Sequence, residues 1–194
     1  MANLLDAPLR DFLDLLAGEG PAPGGGSAAA VVVAMSAGIV AMVARASKEQ
    51  WEEAGGVIGQ AETFRARVAP LAQADAEAYM QALTALRGNE EVEPRYRDIK
   101  LREALDRAAD IPLQIAEAGC DLASLAALLV EHGNPEVRAD AAVAAVLAEG
   151  GTRAAAKLVA VNLGASDDDD RVRRAQALVE RAAEAAHRAL AAAE

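Results

Sequence analysis

The sequence contains few of the residues on which redox, metal and nucleic-acid sites depend. Its 194 residues include one cysteine, Cys120, and two histidines, which excludes an intrachain disulfide framework and a multi-cysteine zinc site. Basic residues number 19 against 30 acidic ones, and the formal net charge of −11 repels a phosphate backbone. The composition therefore predicts a protein with no resident metal and no nucleic-acid partner.

The amino terminus lacks the features of a secretory signal. The segment MANLLDAPLRDFLDLLAG carries Asp6, Asp11 and Asp14, where a signal peptide needs a basic start and an apolar stretch. A lone cysteine is also typical of a reducing compartment. Together these features predict a cytoplasmic protein.

Aromatic side chains make up only 3% of the chain, although 53% of its residues are hydrophobic. The core must therefore be filled mainly by Ala, Val and Leu, which favours closely packed helices over sheets of bulky strands. A chain of this length can bury one core. We predict a single all-α domain over residues 1–194, folded as a multi-helical bundle.

Proline and glycine divide much of the chain into predicted helices. Pro70 has no amide hydrogen, so the helical pattern over residues 57–87 is expected to restart near it. Pro94 is expected to open one helix and Pro112 the next. The glycine pair at 150–151 is expected to separate two further helices.

An uncharged stretch, GPAPGGGSAAAVVVAMSAGIVAMVA, covers residues 20–44. It is long enough to cross a bilayer, but Ala, Gly and Ser dominate it and it has no aromatic belt. We predict a small-residue helix from Ser27 to about Ala46, with the Ser27 hydroxyl as its N-cap. This helix is expected at the centre of the bundle or across a dimer interface, not in a membrane.

Three glycines, Gly24, Gly25 and Gly26, directly precede Ser27. No Lys-Ser or Lys-Thr follows them as a P-loop requires, and Ala29 stands where a dinucleotide fingerprint needs its last glycine. Bare backbone at a helix amino terminus can admit a flat ligand and bind an electron-rich group. It can equally be a tight loop between two helices, and the residues alone leave both interpretations open.

Two carboxylates interrupt apolar helix faces. Asp75 and Tyr79 lie one turn apart in the stripe of PLAQADAEAYMQALTALRG, and Asp140 interrupts a similar face after GNPE. Burial raises the pKa of an inward carboxyl group and suits it to general acid–base catalysis, although each Asp can instead serve a structural ion pair or cap. Asn162, within the apolar segment KLVAVNLGA, also needs buried partners.

Four motifs occur in a characteristic order: PAPGGGSAAA at 21–30, DAEAY at 75–79, GNPEVRADAAVA at 133–144 and VNL at 161–163. Together they resemble the cyclodeaminase/cyclohydrolase family, which includes the cyclodeaminase domain of formiminotransferase-cyclodeaminase and the stand-alone methenyltetrahydrofolate cyclohydrolases. The resemblance covers nearly the whole chain. It implies an all-helical homodimer that acts on the one-carbon unit of tetrahydrofolate and needs no cofactor beyond that folate substrate.

The resemblance also implies a set of site residues. Asp75 would be the catalytic acid or base, and the folate pocket would be lined or supported by Pro23, Gly24, Gly25, Gly26, Ser27, Lys48, Tyr79, Asn134, Asp140 and Asn162. The sequence departs from the family at Leu158, because many relatives carry a second asparagine four residues before the one that matches Asn162.

Two reactions are implied by the resemblance. One closes 5-formimidoyltetrahydrofolate to 5,10-methenyltetrahydrofolate with loss of ammonia, and the other hydrolyses that product to 10-formyltetrahydrofolate. Both pass through a tetrahedral carbon between two nitrogens, so one positioned carboxylate could serve either. The alternative is a non-catalytic helical dimer that binds folate or a protein partner.

Overall fold

The computed structural model describes residues 3–87, 94–164 and 169–193. Within these ranges the chain forms seven α-helices, two short 3-10 helices and no strand, which confirms the all-α prediction. The α-helices are α1 (Leu9–Ala17), α2 (Gly25–Ala46), α3 (Ala54–Val68), α4 (Leu71–Arg87), α5 (Pro94–His132), α6 (Arg138–Asn162) and α7 (Asp170–Ala193). The 3-10 helices cover Leu4–Asp6 and Pro135–Val137.

The small-residue helix α2 lies at the centre of the bundle, where it contacts α3, α4, α5 and α6. The Ser36 hydroxyl donates a hydrogen bond to the Ala144 carbonyl of α6 over 2.9 Å. Farther along the pair, Gly151 lies against Val33. Since higher numbers on α6 meet lower numbers on α2, the two helices run antiparallel, and the start of α2 lies near the end of α6.

Two helices, α2 and α5, are long and apolar enough to cross a membrane by length and composition alone. Inside the bundle, 56% of the apolar window in α2 and 72% of that in α5 are buried. Extensive burial is the pattern of core helices in a helical bundle, which pass the same test of length and composition.

Proline and glycine end fewer helices than the sequence predicts. The restart at Pro70 is confirmed, because α3 ends at Val68 and α4 begins at Leu71. The predicted break at Pro112 is wrong, because α5 continues through it. The predicted break at 150–151 is wrong as well, because α6 runs unbroken to Asn162.

Tertiary packing explains both continuous helices. Pro112 is fully buried, so the core holds its ring in place despite the cost of a proline inside a helix. Gly151 packs directly against α2, where a Cβ at that position would lie within 3.0 Å of the Val33 side chain. A residue that ends a helix by propensity here serves close helix packing instead.

The helices α5 and α7 run parallel and are joined along their length by ion pairs. These pairs join Asp106 and Asp110 to Arg171, Glu117 to Arg174, Asp121 to Arg181 and Glu131 to Arg188. Most of these side chains are exposed, so each pair contributes little stability on its own. Their order, in which residue numbers rise together on both helices, shows that α5 and α7 run in the same direction.

Candidate functional site

A cavity of about 330 Å³ opens at the end of the bundle where α2 begins and α6 ends. Its volume lies at the small end of the range of ligand pockets. It is lined by residues from α2 and the segment before it, α4, α5 and α6: Pro21, Ala22, Gly24, Gly25, Gly26, Asp75, Ala76, Tyr79, Ala108, Leu158, Val161 and Asn162. The fold thus brings the glycine segment, Asp75, Tyr79 and Asn162 together.

The Asp75 carboxyl group lies directly against the backbone of Gly26. A Cβ built at Gly26 would lie within 3.0 Å of the carboxylate, closer than any real nonbonded contact of that kind. No atom within 4 Å restricts a Cβ at Gly24 or Gly25. Of the three glycines, Gly26 is therefore the one at which the position of Asp75 excludes a side chain.

Burial raises the pKa of Asp75 above its ordinary value, and hydrogen bonds from the backbone and side chain of Ser27 oppose this shift only in part. The Ser27 hydroxyl lies 2.7 Å from the Ala72 carbonyl and 3.5 Å from Asp75 Oδ2. A hydroxyl has one proton, which goes to the nearer acceptor. The Ser27 backbone amide is therefore the main hydrogen-bond donor to Asp75, and because it offsets the effect of burial only in part, the neutral acid is favoured.

Ser27 does not cap α2, and that prediction is wrong. Gly24 is the N-cap residue, no side chain caps the helix, and Ser27 lies buried in the first turn. Its hydroxyl reaches across to α4 because the glycine segment lets the two backbones approach closely. The contact holds the start of α2 against the turn of α4 that carries Asp75.

Asn162, the last residue of α6, lines the cavity and donates a hydrogen bond from Nδ2 to the Ala108 carbonyl over 2.6 Å. Within the described residues no donor is bound to its Oδ1, which leaves that oxygen available as an acceptor. Tyr79 and Val161 are both about half exposed and line the cavity together with Leu158. The site therefore combines one carboxyl group, one phenol, one side-chain amide and a largely apolar wall.

Pro23 is buried between two residues that line the cavity, Ala22 and Gly24, but does not line it itself. Lys48 is exposed and follows the carboxyl end of α2. A helix of 22 residues is about 33 Å long, so Lys48 and the cavity are at opposite ends of α2.

Asn134 lies at the same distant end as Lys48. Its side-chain oxygen accepts a hydrogen bond from the Glu136 amide over 2.9 Å, and its Nδ2 donates to the Ala46 carbonyl over 3.3 Å. Its own amide donates to the Ser47 hydroxyl over 2.9 Å. Asn134 thus caps a 3-10 helix and ties it to the end of α2.

Asp140 is exposed in the first turn of α6, so the prediction that it faces inward is wrong. The apolar face that it was expected to interrupt passes beside it, through Ala141, Ala144 and Ala148. An acidic residue in a first helical turn interacts favourably with the helix dipole. This gives Asp140 a local structural reason that needs no pocket.

Sequence reasoning assigned none of five lining residues to the site: Pro21, Ala22, Ala76, Ala108 and Val161. Alanine carries no chemical signal, so Ala76 could be found only from its place between Asp75 and Tyr79. Ala108 had one indirect signal, because it stands four residues before Pro112 and so loses its helical hydrogen-bond donor if the helix continues. In the parts of the chain that the structure describes, no cluster of three or more His, Cys, Asp or Glu could hold a metal ion.

Comparisons with known proteins agree on one family. Residues 8–181 match the family described as formiminotransferase-cyclodeaminase. The chain is 36% identical over 168 residues to the methenyltetrahydrofolate cyclohydrolase of Methylorubrum extorquens, covering 82% of this chain and 81% of that protein. It is 33% identical over 175 residues to the formimidoyltransferase-cyclodeaminase of Rattus norvegicus, covering 86% of this chain but only 32% of that longer protein.

The fold is also similar to a solved structure. The crystal structure of formiminotetrahydrofolate cyclodeaminase from Thermotoga maritima superposes with a TM-score of 0.83 at 25% sequence identity. The superposition covers 97% of this chain and 96% of that one.

Proposed function

The chain belongs to the formiminotransferase-cyclodeaminase family, and from this premise we propose that it is an enzyme acting on the one-carbon unit of tetrahydrofolate. The observation that carries the proposal is the Asp75 carboxyl group, half-buried against the bare backbone of Gly26 in a cavity of about 330 Å³. We propose that the enzyme needs no cofactor beyond its folate substrate and that the protein is located in the cytoplasm.

Hydrolysis of 5,10-methenyltetrahydrofolate is the first candidate reaction, supported by the similarity to a cyclohydrolase of comparable length. Water adds to the methenyl carbon while ionised Asp75 accepts one of its protons. The bond from that carbon to N5 then breaks as the carbonyl forms, and the hydroxyl proton moves to N5. The product is 10-formyltetrahydrofolate, and Asp75 returns its proton to solvent.

Cyclodeamination is the second candidate, supported by the fold similarity to a cyclodeaminase over nearly the whole chain. N10 of 5-formimidoyltetrahydrofolate attacks the formimidoyl carbon, and its proton passes to the leaving nitrogen. Neutral Asp75 supplies the second proton, so that ammonia leaves and 5,10-methenyltetrahydrofolate remains. The raised pKa of Asp75 increases the fraction of neutral acid available near neutral pH.

The remaining lining residues suit a flat, partly polar ligand. The proposal assigns the pterin to the space beside Gly24 and Gly25, where no Cβ intrudes, with Tyr79 at its edge. Asn162 Oδ1 can accept a hydrogen bond from a ligand N–H group. Lys48, Asn134 and Asp140 can contribute only if a second copy of the chain brings them to the cavity.

We also propose that the protein is a homodimer. One side of α2, here called the outer α2 face, consists of Val32, Met35, Ile39 and Met42, of which Met35 is 57% and Met42 42% exposed. Two copies with a net charge of −11 each repel one another except where uncharged surfaces meet. The outer α2 face is such a surface, and a second copy is its proposed occupant.

The enzymatic proposal is tested by supplying 5,10-methenyl- and 5-formimidoyltetrahydrofolate separately and following the methenyl absorbance. Its loss from the first compound would identify a cyclohydrolase, and its appearance from the second a cyclodeaminase. Asp75→Asn should lower kcat by roughly 10²- to 10⁴-fold. Glu77→Gln, an exposed carboxylate on the same helix, should leave kcat unchanged.

Other outcomes would contradict parts of the proposal. Binding of both compounds without turnover of either would support the non-catalytic alternative. Full activity in Asp75→Asn would move the proton-transfer role to another group.

A further inference from the structure

Pro112 lies inside α5 and is fully buried, although a proline has no amide hydrogen to donate. In an unbroken α-helix the amide of residue 112 would donate to the carbonyl of Ala108, four residues earlier. The Ala108 carbonyl therefore lacks its helical donor. Because Ala108 is buried and lines the cavity, an unpaired acceptor there would carry a substantial desolvation cost.

Asn162 supplies the missing donor from another helix. Its Nδ2 lies 2.6 Å from the Ala108 oxygen, so the last residue of α6 is joined to α5 at the wall of the cavity. A carbonyl can only accept hydrogen bonds, and the Asn162 side chain must therefore present its NH2 group to Ala108. Its Oδ1 is then left as the acceptor for other partners.

We infer that Pro112 is a positioning residue for the candidate site. By removing one helical hydrogen bond, Pro112 makes the Ala108 carbonyl an anchor that holds Asn162 in a single orientation, with Oδ1 free to accept an N–H group of the ligand. The role toward folate rests on the proposed function. The link between Pro112 and Asn162 does not, since it follows from hydrogen bonding within the chain.

A second contact between the same helices provides a matched comparison. The Thr152 hydroxyl of α6 lies 3.5 Å from the Ala116 carbonyl of α5 and 2.8 Å from the Ala148 carbonyl. The residue four positions after Ala116 is Cys120, which has an amide hydrogen, so Ala116 keeps its helical donor. Thr152 should therefore be independent of Pro112, whereas Asn162 should depend on it.

A double-mutant cycle on melting temperature tests the link without any substrate. In the wild-type background, Asn162→Ala should lower the melting temperature by roughly 2–6 °C, the effect of losing one partly buried hydrogen bond. In the Pro112→Ala background the new amide can donate to Ala108, so Asn162→Ala should cost clearly less. Equal losses of melting temperature for Asn162→Ala in both backgrounds would overturn the inference. Thr152→Val is the control, and it should lower the melting temperature equally in both backgrounds.

Activity provides the second readout. Pro112→Ala should lower kcat/KM on the folate substrate by roughly 10- to 100-fold, and adding Asn162→Ala should lower it little further. Unchanged kcat/KM in Pro112→Ala would overturn the positioning role even if the melting temperatures are coupled. If the wild-type protein turns over neither folate, the proposed function fails, while the thermal cycle still decides the link.

Hydrogen exchange covers the case in which Pro112→Ala does not fold. Asn162→Ala, with Pro112 retained, removes the anchor at the end of α6, and the amides of its last turn should exchange faster than in the wild type. Unchanged exchange in that turn would overturn the inference.

Discussion

At the scale of single residues, the site depends on the close contact between Gly26 and Asp75, which leaves no room for a side chain at position 26. Gly26→Ala would place a methyl group where the Asp75 carboxylate lies, so we expect it to displace the carboxylate and lower the free energy of unfolding by about 1–3 kcal/mol. Gly25→Ala, which has no atom within 4 Å of its Cβ, should leave that free energy nearly unchanged. Chemical denaturation of both variants measures the difference, and equal effects would contradict the proposed contact.

The raised pKa of Asp75 predicts how its contribution to stability depends on pH. A carboxyl group whose pKa is higher in the folded protein than in the unfolded chain favours folding below its unfolded pKa, and this contribution is lost as pH rises through the folded pKa. Asp75→Asn cannot ionise. We therefore expect its melting temperature, relative to the wild type, to increase as pH rises from about 3 to about 8.

Asp169 provides a control of opposite sign. Hydrogen bonds from Arg171 lower its pKa, so its contribution to stability is present above the unfolded pKa and is lost as pH falls through the folded pKa. Relative to the wild type, Asp169→Asn should therefore be destabilised most at neutral pH and least in acid.

For Asp75→Asn, a difference in melting temperature from the wild type that does not change with pH would show that burial does not perturb the Asp75 carboxyl group.

At the scale of helices, α6 contains two adjacent glycines with opposite surroundings. Gly151 faces the Val33 side chain, whereas a Cβ at Gly150 would meet no atom within 4 Å. Gly151→Ala should lower the free energy of unfolding by about 1–3 kcal/mol because it overpacks the contact with α2. Gly150→Ala should raise it by up to about 1 kcal/mol because alanine favours the helix.

Denaturant titration of the two variants decides whether close packing or helix propensity governs this segment. A similar gain from both substitutions would mean that the α2–α6 contact can relax at no cost. The helix continues through the glycine pair, although its low helix propensity predicts a break, because Gly151 packs against Val33. Propensity is a local property, whereas the neighbour across the interface is not visible along the chain.

At the scale of the whole molecule, the outer α2 face is the surface on which the dimer proposal depends. Met35→Glu should convert a homodimer to monomers, because a buried unpaired carboxylate is costly and the two copies already repel each other. Leu190→Glu, at an exposed apolar residue of α7, should not change the association state. Sedimentation of the three proteins measures this, and a monomeric wild type or a dimeric Met35→Glu would refute the proposed interface.

Much of the fold could be predicted because it depends on composition and local pattern. The scarcity of aromatic residues and the small-residue stretch were sufficient to predict a helical bundle with α2 near its centre. Of the site, the proximity of Asp75, Tyr79 and Asn162 to the glycine segment agrees with what the family motifs imply. The inward orientation of Asp140 failed, because a stripe read from spacing cannot distinguish the edge of an apolar face from its middle.

The amino-acid sequence by itself determined the helical class, the family and the identity of the carboxylate opposite the glycines, since these depend on composition and on the order of motifs. Only the tertiary structure decided which glycine meets Asp75, which helices run on through Pro112 and Gly151, and that Asn162 binds Ala108. The physical reason is that these contacts join residues 45 or more positions apart, as Ser27 joins Ala72 and Asn162 joins Ala108. Their energies depend on distances of a few ångströms that local pattern does not encode.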